Sequence, residues 1–100
     1  MEISSVTVIK IKTALRISHE KLDGDIEADI EAGLADLKVA GIIYATEEDP
    51  LIFNALKLWC RSLYTDDVVK AAEYLKRYEA LKASLSMAEG YGWKAEDADE

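Results

Sequence analysis

The 100-residue sequence contains only one cysteine and one histidine, and its 12 basic residues are outnumbered by 20 acidic ones. The lone cysteine, Cys60, cannot form a disulfide within the chain and is typical of a buried thiol in a reducing compartment. Zinc and iron sites need several Cys or His ligands at short spacing, so we expect no metal centre of this kind. His19 and Cys60 belong to different predicted elements, so we expect no nucleophile with its base and no enzymatic activity.

The formal net charge of −8 argues against functions that need a basic surface. Proteins that wrap nucleic acid or lie on anionic lipid present a cationic face to it. An acidic surface is compatible with DNA that slides past without sequence-specific binding. No apolar run approaches the length of a membrane span, and the first residues lack the basic-then-apolar order of a signal peptide. We therefore expect a protein that is made in the cytosol and has no contact with a membrane.

The stretch from Asp49 to Tyr64 is apolar on almost every side and opens with a helix start. Asp49 can cap the helix, and Pro50 suits the first helical position because its missing N–H has no partner there. The apolar residues that follow are Leu51, Ile52, Phe53, Ala55, Leu56, Leu58, Trp59, Cys60 and Leu63. A helix that is apolar nearly all round is buried nearly all round. We therefore predict a central third helix against which the other helices pack.

The segment from residue 4 to residue 17 fits two kinds of structure. The apolar residues that partly alternate with polar ones, as in a strand, are Val6, Val8, Ile9 and Ile11. Val8, Ile11 and Leu15 instead fall at helical spacing, with Ser5 as a candidate cap. Because no second strand candidate exists and a lone strand cannot satisfy its backbone, the helix is favoured.

The second and fourth helices have clearer boundaries. The second should start at Asp23 or Gly24 and end at Gly41 in a left-handed cap, with Ile42 folding back on Leu37. Its apolar stripe consists of Ile26, Ile30, Leu34 and Leu37. The fourth should follow the turn at residues 65–67 and run for about twenty residues. Its apolar stripe consists of Val68, Ala71, Leu75, Tyr78, Leu81 and Leu85, and its basic residues are Lys70, Lys76, Arg77 and Lys82.

These elements predict an all-α protein, a small bundle of about four helices around a buried third helix. Residues 1–90 are expected to form one helical domain and residues 91–100 an acidic, flexible tail. The predicted core residues are Ile30, Leu34, Leu56, Trp59, Leu63, Leu75 and Tyr78.

Acidic residues alternate along the start of the second helix, at Asp23, Asp25, Glu27, Asp29 and Glu31. The run superficially suggests calcium, but an EF-hand holds its acids in a glycine-containing loop and these lie on a helix. A solvated surface is the simpler interpretation. The other is neutralisation by basic groups of a partner or of a second copy. A carboxylate reaction site on Glu27, Asp29 or Glu31 is a remote third alternative.

Tyr91 and Trp93 stand among glycines and charged residues near the end of the sequence. Both can fold back onto the bundle. Alternatively, they dock on a neighbouring chain, since exposed aromatic residues are candidate anchors of an interface. The sequence leaves both alternatives open.

Several phrases, taken in order, resemble the small head–tail connector proteins of long-tailed phages and prophages, which are DNA-packaging or head-completion adaptors. The first phrases are Lys12-Thr13-Ala14-Leu15-Arg16-Ile17, a short acidic loop, Asp25-Ile26, Ile30 and Leu37. The next are Asp49-Pro50-Leu51-Ile52, Ala55, Leu58 and Trp59, followed by Tyr78, Leu81-Lys82, Leu85 and Tyr91. The resemblance covers most of the chain, from Lys10 to Tyr91, and consists of hydrophobic patterns in order.

The resemblance implies an all-helical structural protein of the virion, without enzymatic activity or cofactor. Such subunits assemble as a ring of about twelve copies below the portal protein, at the head–tail junction. The ring extends the DNA channel and docks further head-completion or tail proteins, and DNA passes through it without sequence-specific binding. Subunits of this family are made in the host cytoplasm, and many stay monomeric until they meet the portal.

A ring needs two different faces that fit one another. The acidic second helix and the basic fourth helix could provide them, either between subunits or within one subunit. The candidate interface residues are Asp25, Asp29, Glu31, Lys70, Arg77, Tyr91 and Trp93. The alternative function is an acidic helical interaction module, a DNA mimic or regulator that binds a basic protein surface.

Overall fold

The computed structural model describes residues 3–92, which form four α-helices with no strand among them. The helices are α1 (Ser5–Leu15), α2 (Asp23–Val39), α3 (Pro50–Tyr64) and α4 (Val68–Met87). The predicted all-α class is therefore confirmed, including the helical assignment of the ambiguous first segment. None of the helices in this part of the chain is long and apolar enough to cross a bilayer.

Helix α3 lies in the middle of the bundle and packs against each of the other three helices. Ile52, Ala55, Leu56 and Cys60 on α3 are buried. They join a core whose other members are Ile3, Val8, Ile11, Ile26, Ile30, Leu34, Leu37, Ile42, Ala45, Tyr78 and Leu85. The central position predicted for this helix is confirmed.

Three of the predicted core residues lie outside the fully buried core. Leu63 is 51% exposed, because it lies in the last turn of α3, where the buried stripe of the helix is no longer covered. Leu75 is 41% exposed, because α4 packs chiefly on α3 and buries only a narrow stripe centred on Tyr78. Trp59 is half-buried and packs at the edge of the core. The expectation that α3 is buried nearly all round was wrong, because only four of its fifteen residues are buried and they form one stripe of the helix.

The helix starts follow the capping rules. Asp49 accepts hydrogen bonds from the backbone N–H groups of Leu51 (2.9 Å) and Ile52 (3.3 Å), as its position before Pro50 predicts. Asp67 caps α4 in the same way. The cap of α1 is Ser4 rather than the predicted Ser5, because the helix begins one residue earlier than expected.

The end of α2 has the predicted glycine turn. Gly41 has a φ of 101°, a left-handed conformation in which glycine has no steric penalty. The Ile42 N–H donates to the Leu37 carbonyl at 3.0 Å, and the Ile42 side chain is fully buried. This contact turns the chain back into the core and directs it toward α3.

Tyr91 packs against the bundle instead of leaving it. Its carbonyl accepts the Tyr44 N–H at 2.7 Å, and its hydroxyl donates to an Asp49 carboxylate oxygen at 3.0 Å. Gly92 then lies so close to the Gly41 carbonyl that a side chain would have no space. The packed part of the chain therefore includes Tyr91 and Gly92, which the prediction placed in the tail. Trp93 and the rest of the predicted tail lie outside the described residues.

Cys60 is fully buried in α3, and desolvation, with the nearby negative charge of Asp29, raises its pKa to about 12. Because the thiolate is the reactive form, we expect no labelling of the native protein by a disulfide reagent at neutral pH and rapid labelling in denaturant. Labelling of the native chain at the rate of a small free thiol would contradict this packing. His19 is exposed, and its Nδ1 accepts the Lys21 N–H at 3.3 Å.

Candidate interaction surfaces

The predicted interface residue Asp29 is bound within its own chain. Its carboxylate accepts a hydrogen bond from the Tyr64 hydroxyl at 2.6 Å, and its backbone carbonyl accepts the Trp59 Nε1–H at 2.9 Å. Burial and the Asp29 carboxylate raise the pKa of Tyr64, so the phenol remains the donor. Asp29 thus connects α2 to α3 through one carboxylate oxygen and its backbone carbonyl.

A second tyrosine–carboxylate contact joins α2 to α4. The Tyr78 hydroxyl donates to Asp36 at 2.6 Å, and Lys82 Nζ lies 3.0 Å from the same oxygen. The Tyr78 hydrogen bond and the Lys82 charge outweigh desolvation and lower the pKa of Asp36. Acidic α2 and basic α4 therefore meet within one subunit at Asp36 and Lys82. Neither residue was among the candidate interface residues.

The two candidate interface residues of α4, Lys70 and Arg77, differ in their surroundings. Arg77 pairs with Glu73 one turn away at 3.0 Å, and both side chains are more than half exposed. Such an exposed pair contributes little and leaves the arginine accessible. Lys70 is exposed, and its side chain makes no hydrogen bond or ion pair with any residue of the described chain, whereas its backbone N–H donates to Asp67.

Three acidic residues of α2 remain without a hydrogen bond or ion pair among residues 3–92, and we call them the unpaired acids: Asp25, Glu27 and Glu31. Asp25 and Glu27 are exposed and Glu31 is half-exposed. At 100° per residue, Asp25 lies on the same side of α2 as Asp29. Glu27 and Glu31 lie on the opposite side. The acids that the sequence presents as one run therefore form separate surfaces.

A cleft of about 420 Å³ lies where the end of α1, the end of α3 and the start of α4 meet. Its charged residues are Arg16, Arg61 and Lys70, none of its lining residues is acidic, and Tyr64 and Tyr74 complete its walls. We call these five residues the cationic cleft. Of the five, the sequence analysis had singled out only Lys70 as a site residue.

The three cations of the cleft have no ion-pair partner among residues 3–92. Arg61 lies over the Tyr74 ring, with its Cζ 5.9 Å from the ring centroid, and this contact orients the guanidinium. Arg16 closes α1 in a left-handed conformation with φ 60°. No ion pair within the described range involves Arg16, Arg61 or Lys70. Of the acids near its walls, Asp29 accepts the Tyr64 hydroxyl, Asp67 accepts the first N–H groups of α4, and the charge of Asp25 contributes to the raised pKa of Tyr64.

Comparison of the chain with models of protein families, with characterised proteins and with solved structures finds no match. The residues of the described region contain no group of three or more His, Cys, Asp or Glu side chains that could hold a metal ion. The features available for an interpretation of function are therefore the charged surfaces and the helical scaffold that positions them.

Proposed function

We propose that this protein is a structural subunit of a phage or prophage head–tail connector. In this proposal it assembles as a ring below the portal protein, extends the DNA channel and docks head-completion or tail proteins. It has no enzymatic role, and it acts at the head–tail junction of the virion after synthesis in the host cytoplasm. The resemblance of its ordered sequence phrases to that family is the starting point.

The residues that carry the resemblance have structural roles in the bundle, and this supports the proposal. Asp49 and Pro50 begin the central helix, and the phrase around Lys12 ends α1. Ile30 and Leu37 are buried in the core, and so are Tyr78 and Leu85 of the fourth helix. The resembling phrases therefore correspond to the residues that hold the bundle together.

The observation that carries the proposal is the presence of acidic and basic side chains that have no ion-pair partner among residues 3–92. The unpaired acids lie on α2, whereas the cationic cleft is formed by α1, α3 and α4. A closed ring requires a heterologous contact, in which two different patches of one subunit fit each other on its neighbours. Acidic and basic side chains on different helices of one small subunit provide such a pair and favour the head-to-tail register over like-charged alternatives.

The test is assembly on the portal. The purified chain is mixed with the portal protein encoded beside it, and the product is examined by negative-stain electron microscopy and light scattering. We expect a ring of several copies on the portal. In the genome that encodes this chain, we expect portal and capsid genes upstream and tail genes downstream. A complex of one copy with a DNA-binding protein, and no binding to a portal, would instead support the DNA-mimic alternative.

A charge-reversed variant makes this test specific. Glu27→Lys combined with Glu31→Lys should impair ring formation several-fold while circular dichroism shows unchanged helicity, because both glutamates lie beyond the first turn of α2 and neither side chain has a hydrogen bond or ion pair among residues 3–92. The control is Glu20→Lys with Glu48→Lys, which makes the same change in net charge at two exposed positions. Asp29 is left intact because it binds Tyr64. Equal assembly by both variants would contradict a role for the unpaired acids.

A further inference from the structure

The cationic cleft gathers positive charge in a protein whose formal net charge is −8. Arg16 and Arg61 lie at the ends of α1 and α3, where the helix dipole favours a cation. Lys70 lies in the first turn of α4, where the dipole disfavours one. Side chains from three helices therefore place like charges around one cavity. Such charges repel each other, and an anionic ligand between them removes the repulsion.

The walls of the cleft supply an oriented cation and a free hydroxyl. Arg61 Cζ lies 5.9 Å from the centroid of the Tyr74 ring, and this contact orients the guanidinium. The Tyr74 hydroxyl forms no hydrogen bond within residues 3–92, whereas the Tyr64 hydroxyl donates to Asp29. Tyr64 therefore contributes only its ring, while Tyr74 retains an O–H group that can donate to a ligand.

Negative charge near the cleft lies outside its lining. Burial raises the pKa of Tyr64 most, followed by Asp29, and Asp25 has the smallest effect. Neither carboxylate is among the lining residues of the described chain, and Asp67 accepts the first N–H groups of α4. The carboxyl ends of α1 and α3 add about half a negative charge each, against three full positive charges on the side chains. The lining itself therefore carries a net positive charge.

The charge and size of the cleft indicate a class of ligand. A single carboxylate leaves most of the positive charge uncompensated, whereas a phosphate group carries up to two negative charges and several acceptor oxygens. Guanidinium groups bind phosphate oxygens through two parallel N–H groups, and a lysine binds them as a point charge. The cleft volume of about 420 Å³ falls within the range of roughly 300–1,000 Å³ that is usual for small-molecule sites.

The overall charge of the protein favours a small ligand over a nucleic acid. A DNA duplex extends beyond one cleft and meets the field of a chain with a net charge of −8, which repels it. Interactions between exposed charges decay over about 8 Å at physiological ionic strength. A ligand that fits inside the cleft is therefore influenced chiefly by the three cations.

We propose that the cationic cleft binds a small phosphate-bearing ligand, with a diphosphate group as the best match to its charge. Arg16 and Arg61 bind the phosphate oxygens through their guanidinium groups, Lys70 binds them through its ammonium group, and the Tyr74 hydroxyl donates a further hydrogen bond. The inference does not rest on the connector function, since one subunit contains the whole site. Because the same cations belong to the proposed ring contact, a bound phosphate ligand competes there with the acids of a neighbouring subunit.

Isothermal titration calorimetry of the full-length chain, with inorganic pyrophosphate as the probe, tests the proposal. We expect one-to-one binding that weakens as salt is raised, and acetate should bind at least roughly tenfold more weakly than pyrophosphate. Lys70→Gln should weaken pyrophosphate binding by roughly tenfold, because a hydrogen bond between charged groups is lost. This variant keeps the fold, since the Lys70 side chain is exposed and has no partner among residues 3–92.

The matched control is Lys76→Gln, which removes the same charge from an exposed lysine of the same helix outside the cleft. It should bind pyrophosphate within about twofold of the parent. Equal binding by Lys70→Gln and Lys76→Gln, or no binding by the parent, would overturn the proposal. Tighter binding of a short DNA duplex than of pyrophosphate would also overturn it, in favour of nucleic acid.

Nuclear magnetic resonance locates the bound probe. Pyrophosphate should shift the backbone amide signals of Arg16, Arg61, Lys70 and Tyr74, and shifts confined to other parts of the chain would contradict the assignment to the cleft. Failure of this inference and failure of the connector function are distinguishable, because pyrophosphate binding is measured without the portal and ring assembly is measured without pyrophosphate.

Discussion

Replacing Tyr78 by alanine should lower the free energy of unfolding by about 3–5 kcal/mol, the usual cost of removing a buried aromatic ring. Tyr78 is among the largest fully buried side chains of the described residues. Its ring centroid lies 5.2 Å from that of Trp59, so the variant loses this contact as well as core volume. Domains of this size have a total stability of about 5–15 kcal/mol. We therefore expect a large fall in the melting temperature, measured by circular dichroism.

The conservative variant Tyr78→Phe separates the hydroxyl from the ring. It keeps the core volume and removes only the hydrogen bond to Asp36, which retains Lys82 as a partner. We expect a loss of about 1–2 kcal/mol, less than half of the alanine effect. If the two variants were equally unstable, the hydroxyl and not the packing of the ring would be the main contribution of Tyr78. A near-neutral alanine variant would mean that α4 does not pack as described.

Gly33→Ala should destabilise the protein by about 1–3 kcal/mol, although alanine is the better helix former by about 1 kcal/mol. A Cβ at residue 33 would lie 2.7 Å from Trp59 Cδ1 and 3.1 Å from Leu56 Cδ2. The indole cannot move away cheaply, because its Nε1 donates to the Asp29 carbonyl. Steric conflict between α2 and α3 therefore exceeds the gain in helix propensity. Chemical denaturation measures the difference directly.

Two further variants test this explanation. Gly24→Ala is the matched control, because nothing lies within 4 Å of a Cβ at that position. It should leave stability unchanged or raise it by up to about 1 kcal/mol. In a Trp59→Phe background the cost of Gly33→Ala should shrink, since the smaller ring leaves room for the methyl group, and a double-mutant cycle reports this coupling. Additive effects would show that Trp59 is not the obstacle.

The surfaces relevant to function could be predicted from the sequence only in part. The acidic residues of α2 and the basic residues of α4 are visible as runs of charge, but their pairing is not. Asp29 and Asp36 have the same residue type as Asp25, yet tyrosines from other helices occupy the first two and leave the third unpaired. Those tyrosines are 35 and 42 residues away in the chain, so no local pattern indicates the contacts.

The sequence by itself determined the number and order of the helices and the boundaries of the central ones, because capping, turns and apolar periodicity act over a few residues. Asp49 with Pro50 began the central helix, and Gly41 with Ile42 ended the one before it. Only the tertiary structure decided which side of each helix is covered. Leu63 fits a core position by spacing but is exposed, and the cleft brings together Arg16, Arg61 and Lys70 from three helices. Burial and charge clustering depend on how whole helices cross, which is a property of their packing and not of neighbouring residues.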